Sequence, residues 1–177
     1  MISIDAWVES EFEFLTSTHG FSLASKSENR LNYTNEQIHV SFTYNDRDGF
    51  DATFVKDDCD KVALPTVIAA IKGYEGRASS FLNEDDYDQD DDNEVDYNSP
   101  AKVKAQIIEL SQFLQGQGSP ILRGDEPLMN ELTKLQFWHV GHWVSKWGTT
   151  IKMSEEEIQE NKLLVPKIIQ ILKNKKE

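Results

Sequence analysis

The residues best suited to bind a charged group are nine carboxylates among the thirteen positions from Glu84 to Asp96, with no basic residue between them. Their side chains could coordinate a hard cation or face a basic protein, and like charges this close together resist burial in a core. The nine members of this acidic run are Glu84, Asp85, Asp86, Asp88, Asp90, Asp91, Asp92, Glu94 and Asp96. We expect the run to act in solvent, at a cation or against a basic partner.

Part of the acidic run is similar to a calcium-binding EF-hand loop. Asp88, Asp90 and Asp92 alternate with other residues, as the first three ligands of that loop do. Asn93 then occupies the position where the loop requires glycine, and Ser99 replaces the bidentate glutamate that closes the coordination shell. We therefore predict no metal site here and favour a solvated loop or a partner-binding segment over a calcium loop.

A second candidate for metal chemistry is the pair His139-x-x-His142, about one helical turn apart in a tryptophan-rich segment. Zinc generally needs three or four protein ligands, and no cysteine or acid at matching spacing completes the set. We predict hydrogen-bonded histidines and no cofactor. The alternative is an enzyme or a small-molecule or metal binder, with a pocket between a sheet and this helix near His139, His142 and Trp143.

A shorter acidic group lies in the turn-forming sequence Asn45-Asp-Arg-Asp-Gly49. Asp46 and Asp48, with Asp51 just beyond, could orient an arginine or contact a partner. The alternative is a charged hairpin tip without a further role. We include Asp46, Asp48 and Asp51 among the candidate partner-binding residues.

The sequence contains no catalytic signature. It has no glycine-rich phosphate loop, no Gly-x-Ser-x-Gly elbow and no His-Glu-x-x-His motif. The single cysteine, Cys59, lies among Asp57, Asp58 and Asp60, whose negative charge disfavours the thiolate that a nucleophile needs. We predict that the protein is not an enzyme and has no catalytic residues.

The net charge of −13 is concentrated in one part of the chain. Residues 1–99 hold 22 acids and 7 bases, whereas residues 100–177 hold 9 acids and 11 bases. Such a field repels nucleic acid and attracts a basic protein partner, although it would also serve plain solubility. No segment is apolar for long enough to span a membrane and the N-terminus lacks a signal peptide, so we expect a cytoplasmic protein.

The first half of the sequence predicts a small antiparallel sheet. Residues 38–44 alternate strictly, with Ile38, Val40 and Phe42 on one face and polar residues on the other. Residues 50–55 alternate again after the turn, and shorter runs precede them at 21–24 and 31–34. Short connections between such strands favour antiparallel pairing.

Helices are predicted over residues 4–18, 64–73, 100–116, 127–147 and from Ser154 to the end of the chain. Ser99-Pro100 and Asp125 supply N-terminal caps, and Pro166 is expected to kink or divide the last helix.

Together these elements predict an α+β fold. We expect a three- to four-stranded antiparallel sheet with an N-terminal helix, packed with a C-terminal group of three to four helices. The chain is predicted to be a single domain over 1–177, with an N-terminal α/β half (1–83), an acidic loop (84–98) and a C-terminal helical half (99–177). Each half by itself would be marginal in stability.

The chain resembles small bacterial immunity proteins, such as those of contact-dependent growth inhibition systems. The resemblance lies in the amphipathic first helix, the segments Val40–Tyr44 and Arg47–Phe54, the surplus of acids and the missing catalytic signature. It implies a cytoplasmic protein that binds a toxin domain, often a basic nuclease, and blocks its active site with carboxylates in place of phosphate. An adaptor or structural subunit with a solubilising acidic loop is a further alternative.

Overall fold

The computed structural model describes residues 4–45, 49–56, 61–77, 79–81, 99–135 and 155–175. It confirms the α+β class: five antiparallel strands lie against helices from both halves of the chain. None of the described helices combines the length and the apolar character needed to cross a bilayer.

The N-terminal helix is divided, contrary to the single helix predicted over 4–18. Helix α1 spans Asp5–Glu11 and α2 spans Glu13–Ser17, and Phe12 between them has φ −109° and ψ 17°. The Phe12 side chain is fully buried, and its ring centroid lies 4.3 Å from that of Phe42 in the sheet. This tertiary contact accompanies a break that hydrophobic periodicity alone does not reveal.

The sheet is a meander in which each strand pairs with its neighbours along the chain. Its strands are β1 (Ser22–Ser27), β2 (Arg30–Thr34), β3 (Ile38–Asn45), β4 (Gly49–Lys56) and β5 (Val62–Ala63). The sheet has five strands, whereas the sequence predicts three to four. The additional strand is β5, which is only two residues long. Its pairing with Thr53 and Phe54 defines it, and two residues are too few to show alternation.

The two faces of the sheet differ as the alternation predicts. On the apolar face, β3 buries Ile38, Val40, Phe42 and Tyr44, while Ser41 and Thr43 on the opposite face are only partly covered. The apolar face belongs to one hydrophobic cluster that also includes Val8, Ile68, Leu110, Leu128 and Ile168 from the helices. Residues from both halves of the chain thus share one core.

Helix α3 spans Leu64–Tyr74, α4 Pro100–Gln115, α5 Ser119–Leu122, α6 Glu126–Leu132 and α7 Glu155–Asn174. Two of these helices, α4 and α6, have the N-terminal caps that the sequence predicts, whereas α5 lies in a stretch expected to be a loop. Ser99 Oγ accepts the Lys102 N–H at 3.3 Å, and Asp125 Oδ1 accepts the Leu128 N–H at 3.1 Å. Each cap satisfies a backbone donor that the first helical turn would leave unpaired.

Two helix predictions need correction. The helix predicted over 127–147 changes at Thr133 into a short 3-10 helix that ends at Leu135, and the rest of that prediction lies outside the described residues. Helix α7 runs through Pro166 without division. Val165, Ile168 and Leu172 are buried in the core, and this packing offsets the backbone hydrogen bond that proline removes.

A buried carboxylate joins α6 to α7. Glu131 accepts hydrogen bonds from Lys167 Nζ at 2.6 Å and from Lys134 Nζ at 3.1 Å. Burial acts to raise the pKa of Glu131, but the hydrogen bonds from Lys167 and Lys134 outweigh it and the pKa lies below its ordinary value. The ionised carboxylate therefore fixes α7 beside α6 at neutral pH.

Candidate partner-binding surface

The acidic run, from Glu84 to Asp96, lies outside the described residues, but the structure defines the chain on both sides of it. Residues 79–81 precede the segment 82–98, and Ser99 follows it at the start of α4. The position of these two attachment points determines which part of the molecule carries the run.

The attachment point before the run is fixed by Glu109 on α4. Its Oε2 accepts hydrogen bonds from Ser79 Oγ at 3.0 Å, from the Ser80 N–H at 3.1 Å and from Ser80 Oγ. Its other oxygen pairs with Lys72 at the end of α3. Gln106, one turn away on α4, donates to the Ser80 carbonyl at 3.3 Å. One carboxylate therefore holds α3, α4 and the chain that leads into the acidic run.

Both attachment points belong to the same helix. Glu109 is ten residues beyond Ser99, which corresponds to roughly 15 Å along a helix axis. The segment 82–98 leaves beside the middle of α4 and returns at its N-terminus. The described chain on either side of the run therefore contacts the same helix.

The second acidic group adjoins the end of the β3–β4 hairpin. Asp46 and Asp48 lie outside the described residues, and the residues on either side of them, Asn45 and Gly49, pair across the two strands. Gly49 has φ +78°, a conformation that glycine adopts without strain. The chain enters and leaves residues 46–48 at neighbouring points on the sheet edge.

Asp51 is the one member of the candidate set that the structure describes. It is half-buried on β4, and its Oδ1 accepts the Ala52 N–H at 2.8 Å. Burial raises the pKa of Asp51 above its ordinary value, while the Ala52 N–H and the positive charge of Lys61 act in the opposite direction. Asp51 shares a cross-strand row with Thr43 and Arg30 on the polar face of the sheet.

Replacing Asp51 by asparagine is expected to raise the free energy of unfolding at pH 7 by less than about 1 kcal/mol. A raised folded-state pKa means that the folded chain holds its proton more tightly than the unfolded chain does. Ionisation therefore costs stability as the pH rises through and above the ordinary value of 3.8, and asparagine removes that cost. Urea unfolding at pH 7 and pH 3 tests this, since the gain should disappear at pH 3.

Helix α1 connects the sheet to α4 and shows how the two acidic groups are related. Trp7 lies against Lys104, whose Nζ is 5.9 Å from the indole centroid, and the Glu11 carbonyl accepts a hydrogen bond from Ser111 Oγ at 2.8 Å. In each helix the second contact lies closer to the C-terminus than the first, so α1 and α4 run in the same direction. The N-termini of α1 and α4 therefore point towards the same end of the molecule.

The chain that follows α4 shows which end of the sheet α4 leads to. Gly124, beyond α4 and α5, accepts a hydrogen bond from Lys56 Nζ at 2.8 Å, and Lys56 pairs with Ile38 at the end of β3 opposite the Asn45–Gly49 pair. We infer that α4 begins on the side of the Asn45–Gly49 pair. We call this region, defined by Ser99, Asn45, Gly49 and Asp51, the acidic end. The acidic turn joins the described fold here at both of its ends, and the acidic run joins it here at its C-terminal end, through Ser99.

Replacing Glu109 by alanine is expected to lower the free energy of unfolding by about 2 kcal/mol, because Lys72 and the donors of Ser79 and Ser80 lose their shared acceptor. The Ser80 amide should also exchange its hydrogen faster. Hydrogen exchange and urea unfolding measure the two effects. Gln112→Ala, an exposed change on the same helix, is the matched control, and equal losses in both variants would contradict the role given to Glu109.

The face of the sheet opposite the core is polar. Its members include Ser25, Asn32, Ser41, Thr43, Asp51 and Thr53. The Asn32 amide donates to Ser25 Oγ at 2.7 Å, which links β2 to the edge strand β1. Because the described helices share their core with the other face, this surface adds small polar groups next to the acidic end.

The alternative site falls outside the described part of the chain. His139, His142 and Trp143 lie between Leu135, the last residue of the 3-10 helix, and the beginning of α7. Across the described ranges, no group of three or more His, Cys, Asp or Glu residues could hold a metal ion. The prediction that the two histidines bind no metal stays a prediction.

The sequence did not indicate Glu109, Ser79 and Ser80, which hold the chain before the acidic run against α4. Lys72 and Glu109 are 37 residues apart, and an ordinary polar residue within an amphipathic helix gives no signal of such a contact. A charged position beside the apolar stripe of α4 was the only available hint. Compared with protein-family models, curated proteins and solved structures, the chain gives no significant match.

Proposed function

We propose that this chain is a non-enzymatic, acidic binding protein that recognises and inhibits a basic toxin domain of the nuclease type. In this role it acts as a cytoplasmic immunity protein. Its partner-binding residues are the nine carboxylates of the acidic run together with Asp46, Asp48 and Asp51.

The observation that carries the proposal is that the acidic turn and the C-terminal end of the acidic run join the fold at one end of the molecule. A nuclease cleft is lined with lysine and arginine, because it must bind phosphates. Carboxylates gathered at one end provide a complementary potential, which accelerates encounter and aligns the partners. Charges scattered evenly over the surface would favour solubility without selecting one orientation.

The anchoring by Glu109 supports the same proposal. A segment whose flanking residues both contact α4 has its ends placed before the partner arrives, so less conformational entropy is lost on binding. The polar face of the sheet adds hydrogen-bonding groups beside Asp51. After electrostatic attraction has brought a basic cleft close, these groups form hydrogen bonds with polar residues at the edge of the interface.

Capture from a native lysate of the source cell tests the proposal. The full chain should retain a basic protein at low salt, release it at high salt and inhibit its nuclease activity after purification. Retention of no basic protein at low salt would overturn the proposal. A retained protein whose activity is unchanged would point instead to an adaptor subunit.

A further inference from the structure

A depression away from the acidic end has a volume of about 490 Å³. Three segments line it: residues 18–20 after α2, residues 35–38 between β2 and β3, and Leu122 with Arg123 at the end of α5. The β2–β3 connection lies at the end of the sheet opposite the β3–β4 connection. This depression is therefore separate from the proposed toxin-binding surface.

The cationic group of the depression is held in place by the backbone. Arg123 Nη2 donates to the Lys175 carbonyl at 2.9 Å, and Lys175 pairs with Asp125. This contact uses only part of the donor capacity of a guanidinium group. Within the described ranges Arg123 makes no other side-chain hydrogen bond, although the Asp125 carboxylate interacts with its charge.

Neutral hydrogen-bonding groups surround the arginine. Asn35 Oδ1 accepts the N–H groups of Gln37 and Ile38 at 3.0 and 2.8 Å, and the Asn35 NH2 group has no acceptor among the described residues. Burial lowers the pKa of His19, and the positive charge of Arg123 lowers it further, so the imidazole is neutral at pH 7. The lining thus offers several donors beside one fixed cation.

The remaining lining residues restrict the kind of anion. Ile38 and Leu122 are almost fully buried and offer little surface to a ligand, whereas Glu36 adds one exposed carboxylate. A phosphate dianion would meet a single cation and would be repelled by Glu36. A carboxylate carries one charge and matches the paired N–H groups of a guanidinium.

We propose that this depression binds a small carboxylate, which pairs with the guanidinium group of Arg123 beside the amide groups of Asn35 and Gln37. The volume falls within the range of about 300–1,000 Å³ that is usual for small-molecule sites. The site is a function additional to toxin binding and does not depend on it.

Benzoate is a suitable probe, with benzamide as its uncharged counterpart of equal size. In NMR titrations of the full chain, benzoate should shift the Gly20 amide, the Gln37 side-chain amide and Arg123 Nε in a saturable manner. Benzamide should bind at least about tenfold more weakly, because it cannot form the charged pair with the guanidinium.

Substitution of the arginine completes the test. Arg123→Gln should weaken benzoate binding at least about tenfold, while Arg77→Gln, a change at an arginine that does not line the depression, should leave it unchanged. Equal affinity for benzoate and benzamide would overturn the proposal, as would unaltered binding by Arg123→Gln. Shifts confined to residues away from the depression would also overturn it.

Discussion

Replacing Phe42 by alanine is expected to lower the free energy of unfolding by about 3–5 kcal/mol. The Phe42 side chain is fully buried, and its ring lies 4.3 Å from Phe12, 6.0 Å from Tyr33 and 6.3 Å from Phe50, measured between centroids. Alanine would leave a cavity between α1 and three strands. Since domains of this size are stable by about 5–15 kcal/mol, this one change removes a large part of the total.

Urea unfolding followed by circular dichroism measures the loss at Phe42. Thr43→Ala is the matched control, because Thr43 is the next residue on β3 and lies on the polar face. Its cost is expected to stay within about 0.5 kcal/mol. A comparable loss at both positions would contradict the structure, in which one face of β3 is buried in the core and the other is polar.

Neutralising all nine carboxylates of the acidic run, with Asn for Asp and Gln for Glu, is expected to slow association with the captured basic partner by about 10- to 1,000-fold at low salt. In the proposed function, the nine negative charges of the run steer a basic surface during diffusion, and the variant removes all nine. Stopped-flow or surface plasmon resonance measurements at several salt concentrations test the effect. The salt dependence of the association rate should fall along with the rate itself.

Two further variants separate charge from sequence in the acidic run. A chain in which the same thirteen residues are shuffled keeps the field and should retain fast association. The triple change of Asp46, Asp48 and Asp51 to Asn should slow association more than the triple change of the exposed Glu13, Glu36 and Glu126 to Gln. If the chain without the nine charges binds as fast as the original, the run serves only solubility.

The predictions that hold best concern interactions between residues close in sequence. The alternation of β3 depends on neighbouring side chains pointing to opposite faces, and the caps at Ser99 and Asp125 reach backbone groups only three residues away. Such features depend on only a few consecutive residues. The α+β class follows from them, because their order along the chain leaves few alternatives.

The predictions that failed depend on tertiary packing. The break at Phe12 accompanies a contact with Phe42, thirty residues away. Strand β5 is defined by the pairing of Val62 with Phe54 on β4. The sequence predicts a kink or a division of the last helix at Pro166; α7 is not divided there, and its apolar side is buried. Local rules estimate the conformational preference of a segment but not its packing energy, because packing involves residues that are distant in sequence.

The sequence by itself determined the strand alternation, the helix caps, the dense carboxylates and their concentration in the first half of the chain. Only the tertiary structure decided that the acidic turn and the C-terminal end of the acidic run join one end of the fold, and that His19, Ile38 and Arg123 line one depression at the other. The physical reason is distance. Charge and periodicity are properties of neighbouring residues, whereas a binding surface brings together segments whose proximity depends on how the core packs.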